Sequence, residues 1–338
     1  MSQLSNIDTS RWMEQLEEQG LGDLSILKTV IPGSHDSSTC NISRKQPFAS
    51  NAPPILKKAQ SFLPFLSNSR LLKDIVVKWA IAQERTITQQ LEDGIRYLDL
   101  RVCSVKEPGF EYGTLYTCHS IISDVLDDVL KEIKNFTEKH SKEILIVDFQ
   151  HFYDLDEADH KYLVEMIQQL FGDKLIPNTF SLTDSIQTIW DNNWSIFVFY
   201  GNRSIANKHE FLWSHSSLKS AWMDQANIKG LFRKLDSHIK HRKQVIDGNE
   251  KDNIPYDKIF HVAQGIVTPD AAMIASPPLL GKYSTLLKLG KITTPHVIDW
   301  VTKDWKDLDL NVVIVDHYHT TNFVEEMLKL NITKLQKQ

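Results

Sequence analysis

Cysteine is scarce in this 338-residue chain, limited to Cys40, Cys103 and Cys118. Three irregularly spaced thiols make neither a disulfide framework nor a zinc set, and no Cys-x-x-Cys or His-Glu-x-x-His pattern occurs. That usage fits a reducing, cytoplasmic setting. Long apolar runs are also missing, so no transmembrane segment is expected. The stretch from Met1 to Gln19 carries Asp8, Glu14, Glu17 and Glu18 without an apolar core, which fits neither a signal peptide nor a transit peptide. Sequons at Asn41 and Asn331 therefore carry no weight. Positive charge is not in excess: 38 Lys and Arg face 43 Asp and Glu, a formal net charge of -5. Such a balance argues against nucleic acid as a partner, and any anion must be met locally. A glycine-rich phosphate loop is absent too, which weakens an open doubly wound sheet as the architecture.

What the chain does have is a set of short β-branched or aromatic runs, each ending on a polar residue. They lie at 26–31 (leading to His35), 95–101, 115–119, 144–150, 195–200, 221–224, 259–264 and 312–316. Roughly eight such runs, interleaved with helix-period segments at 125–139, 156–171 and 283–288, predict a parallel α/β barrel with its chemistry at the carboxyl ends of the strands. One domain is expected, spanning 21–338, preceded by a helical extension over 1–20 built around Trp12, Met13 and Leu16 and packed outside or beneath the barrel. Residues 47–85 form a long insertion. Its Leu71, Leu72, Ile75, Val76 and Trp79 read as the buried stripe of a barrel helix. Phe62 to Leu66, with Lys57, Lys58, Arg70, Lys73 and Lys78 nearby, has the composition of a membrane-surface element.

Two histidines stand out among thirteen. His35 follows a strand and a Pro32-Gly33 turn, bracketed by Ser34, Asp36 and Ser37, and His119 ends the 115–119 run. Asp99 and Arg101, one residue apart, point to one face of a strand. They make either a structural ion pair or part of a site. Two imidazoles can act as base and acid in one reaction while a guanidinium holds the anionic group being transferred, so the set suits phosphodiester cleavage. His317 and His319, beyond the last strand, read as bystanders whose spacing is also compatible with a metal. Tyr200, Trp222 and Gln264 are placed as head-group contacts by their strand-end positions.

The segments 27–37, 94–101, His119 and 146–152, in that order, resemble the X domain of phosphatidylinositol-specific phospholipase C, in the form of the small eukaryotic proteins that consist of an X domain alone. The resemblance implies a distorted TIM-type (β/α)8 barrel. It also implies a phosphoric diester hydrolase that splits an inositol phospholipid at a membrane surface into diacylglycerol and inositol cyclic phosphate. His35 would take the proton from the inositol 2-hydroxyl and His119 would protonate the departing glycerol oxygen. Asp316 matches the carboxylate that orients the base histidine, and Asp36 and Asp99 match acids around His119 and the nucleophile. Arg101 stands where calcium-dependent relatives place an acidic ligand, and Gln150 where they place another. A cation cannot share a calcium site, so no metal and no cofactor are expected. Bacterial enzymes carry lysine at the Gln150 position, where it helps hold the head group, so Gln150 is a departure. Two rivals follow from the same residues: a metal-dependent barrel phosphodiesterase, and an X domain that binds inositol lipids with little turnover.

Overall fold

Strands covered on both faces need no alternation of polar residues, and the apolar runs of this chain become such strands. In the computed structural model, which describes residues 7–52, 70–275 and 284–337, ten strands form one sheet. They are β1 (Ile31–Ser34), β2 (Tyr97–Val105), β3 (Thr114–His119), β4 (Ile121–Val125), β5 (Leu145–Tyr153), β6 (Ile196–Tyr200), β7 (Trp213–Ser214), β8 (Leu218–Ser220), β9 (Phe260–Gln264) and β10 (Val312–Val315). Eight of them follow the order β7-β6-β5-β2-β1-β10-β9-β8, with every neighbouring pair parallel. This is a nearly closed (β/α)8-type barrel. The seam falls between β7 and β8, which are joined by a single 3-10 turn, His215–Ser217, too short for the crossover that pairing two parallel strands requires.

Three strand placements differ from the sequence expectation. The run at 26–31 is mostly a 3-10 turn, Ile26–Lys28, and the strand begins at Ile31, so Pro32 and Gly33 lie inside β1 rather than in a turn. Packing explains it: a Cβ on Gly33 would sit 2.8 Å from both Tyr97 Cβ and Ile314 Cγ2, so glycine lets β1 fit between β2 and β10. The 115–119 run is not a barrel stave, because β3 pairs antiparallel with β2 and β4. Residues 221–224 form no strand either. The barrel takes Leu218–Ser220 instead, and Trp213–Ser214, too short to read from pattern, completes the eight.

The helix at 283–288 runs on as Leu286–Asp299. Its Gly290 allows close approach to the end of β10, where a Cβ would stand 3.1 Å from the His317 ring and 3.2 Å from the Asp316 carbonyl oxygen. The helices Leu126–Lys139 and Glu157–Phe171 match expectation to within a residue. Beneath the barrel, Trp12, Met13 and Leu16 of the short helix Trp12–Glu17 are wholly buried, and Trp12 Nε1 donates to the Gly94 carbonyl at 3.1 Å. Arg96, also fully buried, donates from Nε to Glu143 at 2.7 Å and from its terminal nitrogens to four backbone carbonyls, those of Thr9, Ser10, Leu91 and Ile95. Asn331, in the last helix, is buried and holds both the amide and the carbonyl of Val30. In the helix Arg70–Ala80, Ile75, Val76 and Trp79 are half-buried, with Val76 packed on Ile42, Ala80 and Ile121. Lys57, Lys58 and the Phe62 to Leu66 segment lie outside the described residues.

Candidate active site

The end of β1 sets the centre. Asp36, with φ of 42°, takes the left-handed conformation that Asp tolerates better than most residues, and its backbone amide faces Asp99 Oδ2 at 3.4 Å. This turn is stitched to β2: the Ser37 amide donates to the Asp99 carbonyl at 2.9 Å, and the Asp99 amide donates to Ser37 Oγ at 2.9 Å. The Asp36 carboxylate then stands among three cationic or titrating groups. Arg101 Nε lies 2.6 Å from Oδ1, while His35 Nε2 and His119 Nε2 lie 3.3 and 3.4 Å from Oδ2. The two imidazole centroids are 6.4 Å apart.

Each ring is fixed from behind. Asp316 Oδ1 meets His35 Nδ1 at 2.8 Å, joining the end of β10 to the end of β1 across 281 residues. The Ala80 carbonyl meets His119 Nδ1 at 2.8 Å. His119 arrives by the antiparallel return of β3, whose Thr117 pairs with Val102, so the strand end comes back to the level of Arg101. The terminal guanidinium nitrogen of Arg101 lies 3.2 Å from His35 Nε2. The β2–β5 register shifts between Leu100 and Arg101, leaving Gln150 as the unpaired bulge residue on β5.

The electrostatics separate the two histidines. Burial, the largest influence on His35, opposes its charge, but Asp36 and Asp316 overcome it and push its pKa up to about 9. Burial dominates at His119 and lowers its pKa, with Arg101 and His35 adding to the effect against Asp36. Burial also works against ionised Asp36, yet Arg101 and the two histidines hold its carboxyl below the usual range. Asp99, buried and next to that charge, is pushed up.

A cavity of about 820 Å³ opens over this cluster, lined by His35, Arg101, His119 and Asp316, and also by Gln150, Trp222 and Gln264. The Trp222 ring, 44% exposed, stacks on His35 at 5.6 Å. Gln264 donates to Ser220 Oγ at 2.9 Å. Tyr200 does not reach the cavity. It is wholly buried, its hydroxyl pairs with His160 Nδ1 at 2.7 Å, and its ring packs on Phe152, because the side chain at that position of β6 points outward from the barrel axis into the helical layer. Sequence reasoning missed Lys219 and His215 on the cavity wall, and the buried Asp148 that holds His215 from behind at 2.7 Å. Asp148 also accepts from the Tyr97 hydroxyl at 2.6 Å. A carboxylate two residues before Gln150 in a barrel strand was the available signal for Asp148. His215 follows a strand too short to recognise.

The cluster His35, Asp36 and Asp99 brings carboxylate and imidazole atoms within 4.8 Å of one another, a spacing that suits a cation. A calcium ion, which needs an oxygen shell of net negative charge, does not fit it, since Arg101 already places a positive group against Asp36.

Fold and site together define a parallel barrel of the phospholipase C type, with its histidine pair at the mouth. A family model described as phosphatidylinositol-specific phospholipase C, X domain, matches residues 62–196. The human protein named PI-PLC X domain-containing protein 2 is 32% identical over 84% of this chain and 85% of its own length. Human PI-PLC X domain-containing protein 3 is 27% identical over 95% of this chain and 92% of its own. Among solved structures, the phosphatidylinositol-specific phospholipase C from Listeria monocytogenes superposes with a TM-score of 0.60 at 15% identity, covering 96% of this chain and 99% of that one. A mutant of the Staphylococcus aureus enzyme gives 0.61 at 12%, covering 98% and 99%; these two likenesses speak for the fold. The chain belongs to the X-domain family of phosphatidylinositol-specific phospholipase C.

Proposed function

We propose that this protein cleaves the glycerophosphate bond of an inositol phospholipid without a metal ion. The observation that carries the reading is the Asp36 carboxylate in contact with Arg101 and with the Nε2 atoms of both histidines. A site that only bound lipid would not need two imidazoles fixed at Nδ1 with Nε2 turned toward a shared point. In this reaction His35 Nε2 accepts the proton of the inositol 2-hydroxyl, whose oxygen attacks phosphorus. His119 gives a proton to the glycerol oxygen as its bond to phosphorus breaks, leaving diacylglycerol and inositol 1,2-cyclic phosphate. Arg101 meets the charge that develops on the phosphoryl oxygens, the role a cation fills elsewhere. Asp316 holds the His35 tautomer and stabilises its imidazolium.

In the free protein Asp36 and Asp316 favour a proton on His35, whose pKa stands at about 9, while burial disfavours one on His119. An incoming phosphodiester places negative charge beside His119 and favours moving that proton across. The active pair holds one proton in either arrangement. The expected kcat/KM profile is therefore a bell, with its alkaline limb near pH 9 and its acid limb below the ordinary histidine pKa. Access is from a membrane surface met peripherally on the cytoplasmic side. Exposed Trp222 stands at the mouth, and among the described residues no helix is long and apolar enough to cross a bilayer.

A second reading, an X domain that binds inositol lipid with little turnover, draws on the neutral Gln150 in the cavity wall. The discriminating measurement is hydrolysis of phosphatidylinositol in mixed micelles in excess EGTA. Cyclic inositol phosphate is expected from the wild type, with a loss of about 10²–10⁴-fold in His35→Ala and in His119→Ala. Vesicle binding without turnover would sink the enzymatic reading.

A further inference from the structure

Outside the catalytic cluster, a second group of ligand atoms stands behind β10. Glu84 Oε2 lies 3.2 Å from His319 Nε2 and 3.8 Å from His317 Nδ1, and the ligand atoms of all three residues fall within 4.8 Å of one another. His317 is wholly buried, and neither of its ring nitrogens makes a well-formed hydrogen bond among the described residues. The Ile81 backbone reaches the ring as a weak partner and can engage only one of its two nitrogens. His319 Nδ1 is unpartnered among the described residues as well. Two buried imidazole nitrogens left unmatched are costly, and a surface pair between Glu84 and His319 does nothing to relieve them.

We infer that Glu84, His317 and His319 form a binding site for a divalent transition-metal ion of the zinc type, with the fourth position open to water. Two imidazole nitrogens and one carboxylate oxygen are a favoured donor set for such an ion. Four-coordinate zinc holds its ligand atoms roughly 3.3 Å apart. The Glu84–His319 edge already has that length, and half-exposed Glu84 has room to close on His317. Each ligand contributes a lone pair, bound water leaves the ion, and no electron changes hands. Unlike the catalytic cluster, this group has no guanidinium ion-paired with its carboxylate among the described residues.

The ion would pin residues 80–84, a strap that touches every part of the catalytic pair. Its Ala80 carbonyl holds His119, its Ala82 carbonyl accepts from the His317 amide at 2.9 Å, and Gln83 Nε2 donates to the His35 and Val315 carbonyls at 3.0 and 2.9 Å. The site is thus a structural clamp beside the active centre and takes no part in bond cleavage.

The test uses the full chain stripped by a chelator, with Zn2+ titrated against a chromophoric competitor. Wild type is expected to take up one equivalent and to gain thermal stability. His319→Ala and Glu84→Gln should weaken binding by more than the about 10–100-fold that losing an outer partner of a metal ligand costs. Glu84→Gln is isosteric and half-exposed, so it carries the test even if the histidine variant misfolds. His241→Ala, removing the exposed histidine held by Glu250 and Asp252, should leave affinity unchanged. No uptake by wild type, wild-type affinity in both site variants, or loss confined to His241→Ala or His35→Ala would overturn the inference.

Discussion

At the scale of single residues, the site is organised by carboxylates that are buried where water cannot replace their partners. Asp316 does for His35 what proximity alone would not, holding Nδ1 at 2.8 Å and keeping Nε2 toward Asp36. Asp316→Asn is expected to bring the His35 pKa down from about 9, because a neutral amide neither attracts imidazolium nor accepts as strongly. The His35 ring-proton resonance followed by NMR against pH checks this without any assay of turnover. The same shift is a stability statement. A histidine whose folded pKa exceeds its unfolded value near 6.5 binds more proton in the fold, so its contribution is full below that value and vanishes as pH rises through about 9. The size is on the order of 3 kcal/mol. Melting temperatures of the wild type are expected to decline across pH 6.5–9, and more shallowly in Asp316→Asn; equal slopes would refute the assignment.

At the scale of elements, two irregular pieces do more for the site than the barrel strands. The β3–β4 hairpin folds back along the overlong end of β2 and returns His119 to the mouth. The strap at 80–84 is anchored by Thr39, whose hydroxyl accepts from the Ala82 and Gln83 amides at 3.1 and 3.0 Å and donates to the Asp36 carbonyl at 2.9 Å. Thr39→Val keeps the shape and strands two buried amides. A destabilisation of about 1–3 kcal/mol is expected in urea unfolding, with a lowered kcat as Ala80 loosens its hold on His119. A variant as stable and active as wild type would show that the strap is held by other contacts.

At the scale of the whole molecule, chemistry and stability occupy opposite ends of the barrel. The mouth carries the strained Asp36, whereas the base is closed by Trp12 and by the buried Arg96–Glu143 pair. Arg96→Met would leave Glu143 charged and unpaired in the interior, at a cost of about 3–5 kcal/mol. Denaturant unfolding measures that cost, and Arg96→Met with Glu143→Leu is expected to recover part of it. Lipid binding by the folded fraction should not change, since the pair lies far from the cavity residues.

The amino-acid order marked His35, Asp99, Arg101, His119, Gln150 and Asp316 at the ends of apolar runs, where a parallel barrel keeps its chemistry, while the role of Asp36 came only with the resemblance to the X domain. It also conveyed the alternation of strand and helix that builds a parallel barrel, although two of the eight runs are not staves and Trp213–Ser214 and Leu218–Ser220 take their places. Pairing partners were another matter: local periodicity carries no sign of whether a strand runs parallel or antiparallel to its neighbour, so β3 read as a stave. Nor does it say which face a strand's last residue takes, and Tyr200 went into the helical layer. The contacts that make the site work, Asp316 to His35, Ala80 to His119 and Glu84 to His317 and His319, join residues brought together only by closure of the barrel, which is a property of the packed core and not of any one segment.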